Sequence, residues 1–217
     1  MADDQTPERS NRLGPTDDEL ALHRTVFASD ALKDMVIVLS GGAGGIGRAI
    51  AWLFARLGAE IVVVGRDEGK LSALTSNMKA KGLKASACAV DIRDIDAVAR
   101  LFDTVWQTHG RVDGLINSAG GQFPQPAIDF SVKGWNAVID TNLNSMFNVT
   151  KQVVPGMVEK GWGRIIQISS VNGEKGQAGQ TNCSAAKAGM HGFTMALAQE
   201  LASKGVTVNT VSPGYIG

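Results

Sequence analysis

Two groups of residues have types and spacings that chemistry can use. The first is the run Ser40-Gly41-Gly42-Ala43-Gly44-Gly45-Ile46-Gly47, whose glycines let backbone N–H groups close around a pyrophosphate at a helix N-terminus. Gly47 is suited to close packing of that helix on its strand. Arg48-Ala49 follows where a Walker loop requires Lys and Ser or Thr, so a triphosphate loop of that kind is excluded. The second group is Asn142, Ser170, Cys183 and Lys187: an amide, a hydroxyl, a thiol and an amine. No His-Asn signature accompanies Cys183, which argues against a nucleophilic thiol. Between the groups lie two charged candidates. Arg66 follows Val64-Gly65 where a carboxylate would select an unphosphorylated ribose, and a cation there pairs with a 2′-phosphate. This predicts NADP(H), while Arg66 also fits a solvated helix start. Asp91 is suited either to an adenine amino group or to capping the next helix.

The elements that must position these residues are legible in the hydrophobic pattern. Short β-branched runs at Met35–Ser40, Glu60–Gly65, Leu83–Val90, Val112–Asn117, Gly163–Ser169 and Val206–Val211 predict parallel strands buried on both faces. Segments of helical period lie between them, near Gly45–Leu57, Glu68–Lys81, Asp94–His109, Val132–Lys160 and Cys183–Lys204. The alternation predicts an α/β fold, a single Rossmann-like, doubly wound parallel sheet with right-handed crossovers over residues 35–217. Residues 1–34 carry eight acidic and four basic side chains and read as a polar N-terminal arm. Within the arm, Thr16-Asp17-Asp18-Glu19 has capping-box spacing. It predicts a short helix docking through Leu20, Leu22, Val26 and Phe27; a solvated arm is the alternative.

Composition removes several functional classes. The 21 basic and 21 acidic residues cancel, which argues against a nucleic-acid surface. Cys88 and Cys183 form no CxxC pair and no metal-site spacing, so no disulfide scaffold or metal is expected and a reducing cytoplasm fits. No apolar run is long enough for a membrane span, and the acidic N-terminus lacks the pattern of an export signal. Glycine makes up 26 of 217 residues, above the usual ~7%, which points to local backbone roles.

The motifs agree in order with one family. Ser40-Gly41-x-x-x-Gly45-x-Gly47 resembles the T-G-x-x-x-G-x-G turn of the short-chain dehydrogenase/reductase family, with Ser for Thr. Asn117-Ser118-Ala119-Gly120 is similar to that family's N-N-A-G, and Thr141-Asn142-Leu143 to its helix asparagine. Ile168-Ser169-Ser170 resembles its serine strand, Lys187 the Lys of Y-x-x-x-K, and Pro213-Gly214 its P-G turn. The resemblance covers about residues 35–217. From about Asp140 onward, with Phe147-Asn148-Val149-Thr150-Lys151-Gln152 included, the chain is similar to the NADPH-dependent acetoacetyl-CoA reductases of polyhydroxyalkanoate synthesis. Ala119-Gly120-Gly121-Gln122-Phe123 instead resembles enoyl-CoA reductases of the same family.

The resemblance implies hydride transfer from NADPH to a 3-oxoacyl thioester, acetoacetyl-CoA foremost. It implies cofactor contacts from Ser40, Gly41, Gly45, Ile46, Gly47, Asn117, Ala119, Gly120, Lys187, Pro213 and Gly214, joined by Arg66 and Asp91. Ser170 would hold the carbonyl, Lys187 the nicotinamide ribose, and Asn142 a proton-relaying water; Gln177, Gln180 and Tyr215 resemble thioester-pocket positions. The family forms tetramers through the helices matching Val132–Lys160 and Cys183–Lys204. Two departures stand out. The family's proton-donating Tyr is Cys183 here, thirteen residues after Ser170, and Tyr215 is the only tyrosine in the chain. A thiol ends several ångströms short of a phenol oxygen and hydrogen-bonds weakly, so an impaired, cofactor-binding module is the rival expectation. The family also continues past the P-G turn, whereas this chain stops at Gly217, and the resemblance implies a C-terminally truncated sheet with Val206–Val211 as an open edge.

Overall fold

The computed structural model describes residues 14–216; residues 1–13 of the expected arm lie outside them. The β-branched runs form six parallel strands: β1 (Val36–Ser40), β2 (Glu60–Gly65), β3 (Ala85–Ala89), β4 (Gly114–Asn117), β5 (Gly163–Ile168) and β6 (Val206–Val211). Their order across the sheet is β3-β2-β1-β4-β5-β6. The order reverses between β1 and β4, so crossovers leave in opposite directions and a crevice opens at the carboxyl ends of those strands. In register, Ser40 of β1 lies between Val64 of β2 and Asn117 of β4, which brings three candidate segments to one edge.

Alternation along β1 divides the core. Val36 and Val38 pack with Phe102, Val105, Val149 and Met157 on one face. Ile37 and Leu39 pack with Trp52, Leu71, Leu74 and Met78 on the other. The helices beneath these faces are α2 (Gly45–Arg56), α3 (Glu68–Ala80), α4 (Ile95–His109), α6 (Ser145–Glu159) and α8 (Thr181–Leu201). Burial on both faces holds for β1 and β4 but not for β3 or β6. Ala87 and Ala89 of β3, and Thr207 and Asn209 of β6, are exposed; both strands lie at an edge of the described sheet. No helix among the described residues is long and apolar enough to cross a membrane.

The helix expected over Val132–Lys160 is broken. It divides into α5 (Val132–Ile139), one π-turn over Asp140–Asn144, and α6. Side chains bond back to carbonyls around the wider turn: Thr141 Oγ1 donates to Ala137 O at 2.7 Å, Asn142 Nδ2 to Val138 O at 2.8 Å, and Ser145 Oγ to Thr141 O at 2.7 Å. Such bulges recur at functional sites, and this one contains Asn142. Two short elements were absent from the pattern analysis, a 3₁₀ turn at Ala127–Asp129 and α7 (Asn172–Lys175).

The arm helix exists as α1 (Asp17–Leu22), with the Thr16–Glu19 capping box formed. Its docking differs from expectation. Leu20 is buried, but Leu22, Val26 and Phe27 are exposed. Polar contacts hold the helix instead: Asp17 accepts from Arg48 Nη1 at 2.8 Å, Trp52 Nε1 at 3.0 Å and Asn77 Nδ2 at 2.8 Å. Arg48 also donates to the Pro15 carbonyl. Arg56 donates to the Leu20 carbonyl at 2.9 Å. One carboxylate thus ties α1 to both α2 and α3. Hydrogen bonds to a charged group are worth about 1.5–3 kcal/mol. Asp17→Ala is therefore expected to cost about 2–3 kcal/mol in denaturant unfolding; a change near zero would make the contact incidental.

Candidate active site

The glycine turn needs its residues for separate reasons. Gly41 has φ +75°, and a Cβ there would stand 2.6 Å from the Ala119 nitrogen, so β1 and β4 meet only with glycine. Gly47 packs against the turn itself rather than the strand, since a Cβ would collide with the Gly41 carbonyl oxygen. Gly45 has no protein atom near its absent Cβ. Gly44 caps α2 without a side-chain hydrogen bond, leaving the first N–H groups of the helix directed outward with its positive dipole end. Open space over Gly45 beside uncapped N–H groups fits a dinucleotide pyrophosphate.

A cleft of about 530 Å³ runs from this turn past Gly65 and Arg66 to Asp91, then to Ala119, Gly120 and Thr141. Arg66 is exposed, and its guanidinium forms no ion pair among the described residues, although its charge acts on the Asp91 carboxyl. The helix start belongs to its neighbour: Asp67 caps α3 and pairs with Lys70 at 3.3 Å. Asp91 does not cap α4; Asp94 does, accepting from Asp96 N and Ala97 N. Asp91 instead accepts from Arg93 Nε at 2.9 and 3.1 Å and from Nη2 at 2.5 Å. The Arg93 hydrogen bonds hold its carboxyl at about 2, below the ordinary 3.8. The sign follows: the stability from this depressed carboxylate is present above 3.8 and is lost as pH falls through about 2.

Ser40 and Asn117 face the interior. Ser40 Oγ donates to Asn117 Oδ1 at 3.2 Å, and Asn117 Nδ2 donates to Thr150 Oγ1 at 3.1 Å. These buried groups tie β1 and β4 to α6 beneath the cleft, so their side chains fix the strand ends rather than line the surface.

At the other end of the cleft three elements converge. Lys187 of α8 is 7% exposed, and its Nζ donates to the Ile168 carbonyl at 2.8 Å. Asn142 Nδ2 donates to Gly121 O at 2.7 Å and to Val138 O. A Cβ on Gly120 would lie 2.7 Å from Asn142 Oδ1 and 3.6 Å from Lys187 Nζ, so glycine is required where amide and ammonium meet. Ser170, two residues past β5, accepts the Asn172 N–H at 3.2 Å, leaving its own proton free to donate. Burial pushes the Lys187 amine down, offset in part by Cys183.

Cys183 lies one turn before Lys187 on α8 and is buried. Burial pushes its thiol up, and the Lys187 charge only partly opposes this. The group is a neutral thiol at pH 7, consistent with the absence of a nucleophile signature.

The thioester-pocket positions are less gathered. Gln180 Oε1 accepts from Asn172 Nδ2 at 2.8 Å, Gln177 is half-buried, and Tyr215 is 91% exposed with Lys175 Nζ 5.8 Å from its ring centre. Pro213 accepts the Val171 N–H through its carbonyl at 3.1 Å, holding the P-G turn to the segment after β5. Gly214 has open space about it. Sequence reasoning missed Asn172 and Arg93. The Ser170-Val171-Asn172 turn carried a local signal for the first, since a serine hydroxyl often accepts an N–H two residues on. Arg93 stood two residues from Asp91, within reach of a turn.

The profile of the short chain dehydrogenase family matches residues 35–217. The chain is 52% identical over 186 residues to the acetoacetyl-CoA reductase of Cupriavidus necator, covering 85% of this chain and 76% of that one. It is 38% identical over 185 residues to the 3-oxoacyl-[acyl-carrier-protein] reductase of Vibrio harveyi, covering 85% and 75%. Among solved structures, a citronellol catabolism dehydrogenase of Pseudomonas aeruginosa superposes with a TM-score of 0.84 at 34% identity, over 88% of this chain and 78% of that one. The chain belongs to the short-chain dehydrogenase family of oxidoreductases.

Proposed function

We propose that this chain binds NADPH and reduces a 3-oxoacyl thioester, acetoacetyl-CoA foremost, at a rate limited by Cys183. The observation that carries the reading is the meeting of Lys187 and Asn142 at Gly120, which lines the cleft that begins at the glycine turn. The names of two relatives, an acetoacetyl-CoA reductase and a 3-oxoacyl-[acyl-carrier-protein] reductase, support the substrate class. Reduced nicotinamide, when bound, supplies the hydride. The chain's own residues do the rest. Ser170 Oγ–H donates to the carbonyl oxygen, Lys187 binds the ribose hydroxyls, and Asn142 Oδ1 holds a water. The neutral Cys183 thiol is short for direct protonation, so a water must bridge it to the carbonyl. The test compares acetoacetyl-CoA, a longer 3-oxoacyl thioester and a plain ketone as substrates, in the parent chain and in Cys183→Tyr. Equal turnover of all three would remove the thioester assignment.

The chain self-associates through α6 and α8, whose Phe147 and Met195 are exposed. Light scattering that finds only monomer at high concentration overturns that part. The unpaired Cys88 and Cys183 fit a reducing cytoplasm, and cell fractionation checks this location.

A further inference from the structure

Asp91, Ile92 and Arg93, in the loop that ends at Asp94, form one wall of the cleft, yet the loop belongs to no regular element and must be held by something. Its carbonyls are claimed from across the molecule. Asn148, on α6 and 8% exposed, donates from Nδ2 to Ile92 O at 3.1 Å and to Arg93 O at 3.4 Å. Within the loop, Arg93 N–H donates to Asp91 Oδ1 at 3.0 Å, and its guanidinium spans both carboxylate oxygens. The Asp140 carboxylate acts electrostatically on the same guanidinium from the π-turn. Asn148 therefore anchors the backbone of the loop from α6, the helix that follows the π-turn bearing Asn142, while Arg93 aims the Asp91 carboxylate from within the loop.

We propose that Asn148 and Arg93 are positioning residues for the adenosine half of the dinucleotide, holding the Asp91 loop preformed so that binding incurs little ordering cost. The inference rests on the NADPH reading above. Two features argue for a seat rather than simple packing. A buried side-chain amide spends both N–H groups on a loop that lines the cleft, and the carboxylate it presents is already oriented by a bidentate partner. Preorganisation of this kind acts on affinity for one half of the ligand only.

The experiment uses adenosine 2′,5′-bisphosphate and reduced nicotinamide mononucleotide as separate probes of the two halves, with NADPH as the whole. Asn148→Ala removes both donors. It is expected to weaken NADPH and the bisphosphate by a similar factor, about tenfold, while the mononucleotide binds as to the parent. Asn148→Asp, which turns an acceptor towards two carbonyl oxygens, is expected to lose more. Arg93→Ala, at an exposed position, gives the same split without threatening the core if the Asn148 variants do not fold. The proposal is overturned if the variants bind the bisphosphate like the parent, or if both halves weaken equally, as general loosening would produce. If the parent binds neither NADPH nor the bisphosphate, the cofactor reading itself fails and takes the positioning role with it.

Discussion

Cys183→Tyr raises the rate of acetoacetyl-CoA reduction by NADPH about 10²–10⁴-fold, the span typical of a positioned general acid. In the proposed site Ser170, Asn142 and Lys187 keep their family residue types, so the element to supply is a proton donor of sufficient reach. Position 183 lies one helical turn before Lys187 on α8, and residues four apart share a helix face. A phenol there meets the Lys187 ammonium, which stabilises the phenolate and brings the donor towards neutrality. The native thiol has the opposite setting, pushed up by burial. NADPH affinity should change little, because the glycine turn and Arg66 are untouched. The assay follows loss of reduced-nicotinamide absorbance under saturating cofactor, with a thermal melt to show that the variant is folded. A folded Tyr variant that binds NADPH without faster turnover of any 3-oxoacyl thioester removes the substrate assignment. A parent chain that already matches the variant shows that Cys183, through water, is an adequate donor.

Arg66→Ala weakens NADPH binding about ten- to hundredfold, corresponding to one charge-assisted phosphate contact of ~1.5–3 kcal/mol. NADH binding stays as in the parent. The structure gives a reason to single out this cation. Lys70 is paired with Asp67, and Arg93 with Asp91, whereas the Arg66 guanidinium makes no ion pair among the described residues. An incoming phosphate meets a guanidinium outside any ion pair, whose charge otherwise acts only at a distance on Asp91, and displaces no salt bridge. Exposure at this site means that salt screens the contact, so the preference for NADPH should narrow as ionic strength rises. Fluorescence titration of both cofactors checks this, and equal parent affinities would end the NADP assignment.

What the sequence determined by itself is local. Six β-branched runs and five helical segments identified the sheet because strand and helix periods are written in neighbouring residues; β2 and β6 have the bounds expected from the pattern. The Ser40–Gly47 turn and the Thr16 capping box formed for the same reason, since each is complete within eight residues or fewer. The order of Ser170, position 183 and Lys187 needed only chain spacing. Tertiary structure decided the rest, wherever the deciding partner is distant in sequence. Asp17 is held by Trp52 and Asn77, so α1 docks by a carboxylate instead of the stripe ending at Phe27. Asn142 sits in the π-turn that breaks its helix, and its amide serves both Val138 O and Gly121 O, the second contributed by the segment after β4. The loop at Asp91 is fixed by Asn148, 56 residues from Ile92. Hydrophobic period is insensitive to such pairings, because a polar side chain satisfied across the fold and one satisfied by water read alike until the elements are packed.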